Sequence, residues 1–247
     1  RCTTRTLLMA ERLVLNLMQH MSGIATATNV YVKRLEGLHT RVLDTRKTTP
    51  GMRLLDKLAV KIGGGCNHRI GLFDMIMLKD NHNDFAGGIP QAIERVHKYL
   101  KETGRDLKIE VEVRNLDELE QVMQVGGVHR IMLDNFDIPT TKKAVERIAG
   151  QYETESSGGI RLDTLRDYAE CGVDFISVGA YERGTSQLVD AAIDTHDAIE
   201  SFLIQEEFEP SPIEETLKNL GNIVGVTIPE EELLQAGYNP EKSENQN

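Results

Sequence analysis

Apolar side chains recur along this chain in two rhythms, and the rhythms alternate. Near the start, Val14, Leu17, Met18 and Met21 fall at i, i+3, i+4 and i+7 among Glu and Arg residues, which predicts an amphipathic helix over 3–21. Short β-branched or apolar runs then predict strands at 41–45, 75–79, 107–113, 129–134, 152–155 and 175–178. Helical spacing predicts helices at 51–62, 90–101, 116–125, 140–149, 162–171 and 186–203, with Pro90 in the first turn of the second. Six βα units joined by right-handed crossovers predict an α/β fold, an incomplete parallel (β/α) barrel.

One predicted strand breaks the rule for its class. Leu107, Ile109, Val111 and Val113 share one face while Lys108, Glu110 and Glu112 share the other. Parallel strands are normally apolar on both faces, because helices cover the outside and side chains fill the inside. Two explanations stay open: a solvated face of an open sheet, or a polar barrel lumen that holds a metal or polar ligand at its carboxyl end, nearest Glu112. Asp134 ends the next strand, with Arg130 and Met132 on its side of the pleat. It is either a helix cap or a carboxylate that shares a divalent cation with Glu112. Ser157-Gly158-Gly159 follows the fifth strand and Gly179-Ala180 the sixth; such glycines make turns, or let backbone N–H groups approach a phosphate.

At 247 residues and 40% hydrophobic content the chain can bury the core of one such barrel. It carries 39 acidic against 28 basic residues, a net charge of −11, which argues against a basic face for nucleic acid. No apolar run reaches membrane-spanning length and no signal peptide is evident. Cys2, Cys66 and Cys171 make neither a disulfide framework nor a metal-ligand cluster, which predicts a reducing, cytoplasmic setting. From Glu206 onward there are ten acidic and two basic residues and four of the seven prolines, so −8 of the −11 lies in the last 42 positions. The predicted organisation is a linking helix at 1–21, a barrel domain at 22–180, a terminal helix at 181–205 and an acidic, disordered tail at 206–247. A first residue that is arginine, already inside a helix, reads as a start in mid-protein.

Against that acidic background the cations cluster. Arg46, Lys47 and Arg53 lie in Thr45-Arg46-Lys47-Thr48-Thr49-Pro50-Gly51-Met52-Arg53, answered by Asn67-His68-Arg69 and by Lys79-Asp80-Asn81-His82. Placed around strand ends, these groups form a site for a small, highly charged anion. Thr48 to Gly51 shape the turn and start the next helix.

Seven segments in this order, TRKTTPGMR (45–53), GGGCNHR (63–69), GLFDMIMLKDNH (71–82), IEVEV (109–113), IMLDNF (131–136), ESSGGI (155–160) and DFISVGA (174–180), resemble the quinolinate phosphoribosyltransferase family. The set spans 1–180 and is specific only as a set. Members convert quinolinate and phosphoribosyl pyrophosphate, with Mg²⁺, into nicotinate mononucleotide, carbon dioxide and pyrophosphate on the way to NAD. The resemblance implies that Arg46 and Arg69, with His68 beside them, hold the quinolinate carboxylates, and that Lys47 and Lys79 line the same pocket. It implies that Glu112 and Asp134 lie near the ribose and the Mg²⁺-pyrophosphate, and that Ser157, Gly158, Gly159 and Gly179 cradle the 5′-phosphate. Arg12 matches an arginine delivered across a homodimer interface into the neighbour's site. Lys47, Lys79, Glu112 and Asp134 are the expected catalytic set.

Two departures accompany the match. Family members carry a further N-terminal sandwich domain, absent from this sequence, so the isolated chain is expected to turn over poorly. From about Gly179 the chain resembles the C-terminal helical region of flagellar or type III export ATPases, although no P-loop of the form G-x-x-x-x-G-K-[ST] is present. A divergent terminal helix followed by the acidic tail is the other reading. Rival functions are a related phosphoribosyltransferase for another anionic ring, and an inactive fragment or fusion that keeps the barrel.

Overall fold

The computed structural model describes residues 4–179, and these divide into two compact units. The first comprises 4–30 and 47–65, the second 31–46 and 66–179. The predicted helix at 186–203, the tail and the ATPase-like segment lie outside the described residues.

The first unit holds the body of helix α1 (Thr4–Arg34) and helix α2 (Arg53–Ile62). The helix predicted at 3–21 therefore runs on to Arg34. Small and polar residues from Ser22 to Thr28 hide its apolar period, but they are helical and all except Thr26 are buried, and the Thr28 hydroxyl donates to the Ile24 carbonyl one turn back. Small side chains here let α2 come close. A Cβ on Gly63, just past α2, would collide with the Ala25 carbonyl oxygen and the Thr28 Cβ. His20 Nε2 lies 2.6 Å from the buried Asp56 Oδ1, whose second oxygen accepts from Thr49 N at 2.8 Å. Thr49 and Gly51 thus form the turn that launches α2, with Gly51 at φ +78°.

In the second unit six strands alternate with helices: β1 (Arg41–Leu43), β2 (Ile76–Leu78), α3 (Asp80–Ala86), α4 (Ile89–Thr103), β3 (Ile109–Val113), α5 (Leu116–Val125), β4 (Arg130–Asp134), α6 (Ile138–Ile148), β5 (Glu153–Ser157), α7 (Leu165–Glu170) and β6 (Phe175–Ser177). All six predicted strands are present, each within two residues at either end of its expected range. The short α3 was not predicted; seven residues give too little periodicity to show.

The strands form one parallel sheet in the order β1-β6-β5-β4-β3-β2. From β2 to β6 sequence neighbours are spatial neighbours, and the first strand pairs with the last. That is a ring opened at the β1/β2 seam, the incomplete parallel barrel expected, since a doubly wound sheet would reverse direction at its middle. The free edge of β1 bridges to Cys66, whose N–H donates to Val42 O at 2.8 Å and whose carbonyl accepts from Asp44 N at 3.1 Å. Ile109, Val111, Val113, Ile131, Leu133 and Ile176 are all essentially inaccessible and make the strand faces that carry the helices, where Leu119, Val122, Ala144, Ile148 and Leu165 are equally buried. Asn115 and Asp137 cap α5 and α6, accepting from Glu118 N and Thr140 N. At the end of α1, Arg166 of α7 donates to the Arg34 and Glu36 carbonyls.

Gly63→Ala is expected to destabilise the chain by about 1–3 kcal/mol, the usual cost of overpacking. Urea denaturation measures it; an unchanged midpoint would contradict the close approach of α1 and α2.

Candidate functional site

Period-two pleating sends alternate side chains of each strand inside the ring, and here many of them are charged. Glu110 and Glu112 of β3 are buried, at 0% and 8% exposure, so the polar face of this strand is a lumen and not a solvated sheet face. Register sets Glu110 beside Arg130, Arg130 beside Glu153 and Glu155 beside Phe175. Arg130 donates through Nη1 to Glu155 at 3.0 Å and through Nε and Nη2 to Glu153 at 3.2 and 3.0 Å, and its guanidinium lies 4.0 Å over the Phe175 ring. Burial opposes the charge on Arg130, yet Glu155, Glu110 and Glu153 outweigh it and move its pKa up.

Above Arg130, the ligand atoms of His68, Glu110 and Glu155 all lie within 4.8 Å of one another. His68 Nε2 is 2.8 Å from Glu110 and 3.6 Å from Glu155. Although three such groups could hold a cation, a guanidinium is already hydrogen-bonded to one of the carboxylates. Burial pushes both carboxyls up, Glu110 to about 7 and Glu155 to about 8, the latter also raised by Glu110. Near neutrality the pair therefore shares a proton.

At the carboxyl end of the sheet the expected binding groups of this unit gather. Arg46 follows β1 and Arg69 follows the Cys66 bridge beside it. The Arg69 pKa is lowered, first by burial and then by Arg46, so the two guanidiniums stand close enough to repel. Lys79, just past β2, places Nζ 3.2 Å from Glu112 Oε2. Asp134 and Ser157 are in register as the last residues of β4 and β5, and Gly179 lies two residues past β6. Gly158 and Gly159 turn with φ of +95° and +64°. A side chain at Gly158 would clash with the Asn135 carboxamide.

Arg12 and Lys47 belong to the first unit, where both side chains are exposed.

Among residues not singled out from sequence, Arg130 and Glu155 form the base of the site, and the alternation Arg130-Met132-Asp134 and Glu153-Glu155-Ser157 was the available signal. Asn135 is the other. It adopts φ +55°, donates from Nδ2 to Asp134 Oδ2 at 2.7 Å and from its backbone to Ser157 O at 2.8 Å, so it links the β4 carboxylate to the glycine turn.

The family model described as quinolinate phosphoribosyl transferase, C-terminal domain, matches residues 24–194, more than half of the chain. The match runs past Gly179, where the sequence resemblance was taken to end. The chain is 44% identical over 209 residues to a chloroplastic nicotinate-nucleotide pyrophosphorylase (carboxylating) of Arabidopsis thaliana, covering 78% of this chain and 60% of that protein. It is 42% identical over 197 residues to the corresponding Mycobacterium leprae protein, covering 78% and 67%. The solved nicotinate-nucleotide pyrophosphorylase of Francisella tularensis superimposes with a TM-score of 0.68 at 46% identity, over 73% of this chain and 62% of that one. The chain thus spans about 60% of the length of the first curated relatives it matches. Among the described residues no helix is long and apolar enough to cross a membrane.

The shared proton has a thermodynamic consequence. From an ordinary value of 4.5, both glutamates rise to about 7 and about 8 on folding, so the folded chain binds more protons than the unfolded one across that window. Their contribution to stability is then greatest below 4.5 and declines as the pH rises through 7 and 8. Glu155→Gln should flatten the decline in unfolding free energy between about pH 5 and 8. Urea titrations at several pH values test this, and equal slopes for wild type and variant would rule it out.

Proposed function

We propose that this chain, which belongs to the quinolinate phosphoribosyltransferase family, binds quinolinate and phosphoribosyl pyrophosphate at the carboxyl end of its sheet. There it forms nicotinate mononucleotide, carbon dioxide and pyrophosphate, a step of NAD biosynthesis. One observation carries the reading: two half-buried guanidiniums, Arg46 and Arg69, are held together against their own repulsion. Adjacent carboxylates on a planar ring relieve that repulsion with bidentate hydrogen bonds, which a monoacid supplies only once.

Lys79, ion-paired to Glu112 yet 44% exposed, can exchange that carboxylate for an incoming anion. His68 stands beside Arg69 in this reading, and Lys47 keeps the substrate-binding role that the family resemblance implies for it. Ser157, Gly158, Gly159 and Gly179 offer backbone N–H groups to the 5′-phosphate. Glu112 and Asp134 are hard oxygen donors, the type that suits Mg²⁺ on a diphosphate, and the bound ion would neutralise the departing pyrophosphate. The chain's own residues align the ring nitrogen with the anomeric carbon, and the nitrogen attacks through an oxocarbenium-like transition state. Once that nitrogen is positive, loss of the 2-carboxylate leaves a ring carbanion stabilised by the adjacent charge, and water supplies its proton.

Association as a homodimer accompanies this reading. Arg12 on α1 stands beside the exposed Met9 and Leu13, an apolar face that a second copy would cover while Arg12 reaches its site. Cys66 and Cys171 are free, in keeping with a reducing cytoplasmic compartment, whereas the names of plant relatives place those proteins in chloroplasts or mitochondria.

Calorimetry on the chain should show quinolinate binding more tightly than nicotinate, and Arg69→Met should weaken quinolinate by about 10- to 100-fold, the value of charge-assisted hydrogen bonds. Equal affinity for the two acids would refute a diacid site. Release of carboxyl label from quinolinate, only when phosphoribosyl pyrophosphate is present, tests the reaction itself.

A further inference from the structure

Below the two arginines runs a series of contacts for which the proposed reaction has no use. The fully buried Asp44 accepts from His68 N at 2.7 Å, and His68 Nδ1 accepts from Arg69 N at 2.7 Å. An Nδ1 that accepts carries no proton, so the ring hydrogen sits on Nε2, the edge that meets Glu110 Oε2 at 2.8 Å. Neither Glu110 oxygen has a well-aligned N–H donor, its side-chain hydrogen bond being with the Glu155 carboxyl, so the hold on the ring is chiefly electrostatic, in a lumen where charges are poorly screened. Glu110 also acts on Arg69 directly: its charge favours the guanidinium that Arg46 opposes. Glu155 and Arg130 hold Glu110 from beneath. No metal is required for any of these contacts.

We propose that Glu110 is a positioning residue for the diacid pocket: it fixes the His68 ring by its Nε2 edge, keeps Nδ1 on the Arg69 N–H, and so sets the Arg69 guanidinium beside Arg46. This deepens the functional reading above and rests on it. The variants Glu110→Gln and Glu110→Leu separate its parts, because glutamine keeps an acceptor of the same shape and leucine keeps only bulk.

The full chain labelled with ¹⁵N-histidine, and its His68→Gln variant for assignment, reports the ring state by NMR. Wild type and Glu110→Gln should show His68 protonated at Nε2 alone, and Glu110→Leu should lose that single tautomer. By calorimetry, Glu110→Leu should weaken quinolinate about tenfold while leaving phosphoribosyl pyrophosphate unchanged, and Glu110→Gln, which keeps an acceptor but not the charge, should fall between Glu110→Leu and wild type. A His68 protonated at Nδ1 in wild type overturns the proposal, as does a Glu110→Leu chain that weakens both ligands equally or keeps full quinolinate affinity. If Glu110→Leu does not fold, the wild-type and Glu110→Gln spectra and affinities still decide. A wild-type chain that ignores quinolinate overturns the functional reading instead, and the histidine spectrum then judges the clamp by itself.

Discussion

The hydrogen-bonded charge of Arg130 inside the sheet is the constraint on which the site depends. Four glutamates, 110 and 112 of β3 and 153 and 155 of β5, project into the lumen, and a dry interior tolerates carboxylates only when they are paired or protonated. Arg130 answers two of them directly, and a shared proton answers part of the rest. The lumen is therefore layered by sign. At the amino end Lys108 and Arg130 flank Glu153; above them lie Glu110, Glu155 and the neutral His68; at the carboxyl end stand Arg46, Arg69 and Lys79. Each layer compensates its neighbour, and the last brings several cations together. A lumen filled with Val and Leu would pack as well, but it would leave two adjacent guanidiniums with no negative charge beneath them.

Much of this architecture was legible in the sequence, and for a physical reason. Strands buried on their outer faces need runs such as Ile109-Val111-Val113 and Ile131-Leu133, and those runs survive whatever the lumen requires. What was hidden was structure held by small residues. From Ser22 to Thr28 helix α1 packs by its lack of side-chain bulk, so its apolar period vanishes just where the contact is tightest. The bridge of β1 to Cys66 was equally invisible, since it is a long-range fact, whereas pairing of the first strand with the last belongs to the barrel expected.

The site divides along the same line. Arg46, His68, Arg69, Lys79, Glu112 and Asp134 stand out because charged residues at strand ends are conspicuous against apolar runs. Glu155 and Arg130 do not stand out, because a buried charge looks, in one dimension, like any solvated one. Asn135 was missed because its contribution is conformational: a left-handed residue whose carboxamide bonds the preceding carboxylate and packs against a glycine at the end of the neighbouring strand. Only the pleat, with its alternation Arg130-Met132-Asp134, gave a hint that these belong to one face.

A chain of net charge −11 is an unexpected receptor for the dicarboxylate and diphosphate proposed above, but range resolves the conflict. Eight of those charges belong to the last 42 residues, and residues 1–205 carry 29 acidic against 26 basic groups. Charges beyond about 8 Å are screened at physiological ionic strength, whereas groups in hydrogen-bonding contact inside a half-buried pocket are not. The overall field slows the approach of an anion more than it weakens the bound state. Affinity is then decided by guanidiniums held in register by buried acids below them. Negative charge in the lumen and the proposed selection for an anionic ligand are in that sense the same design: the glutamates set negative charge beneath two guanidiniums that stand close enough to repel.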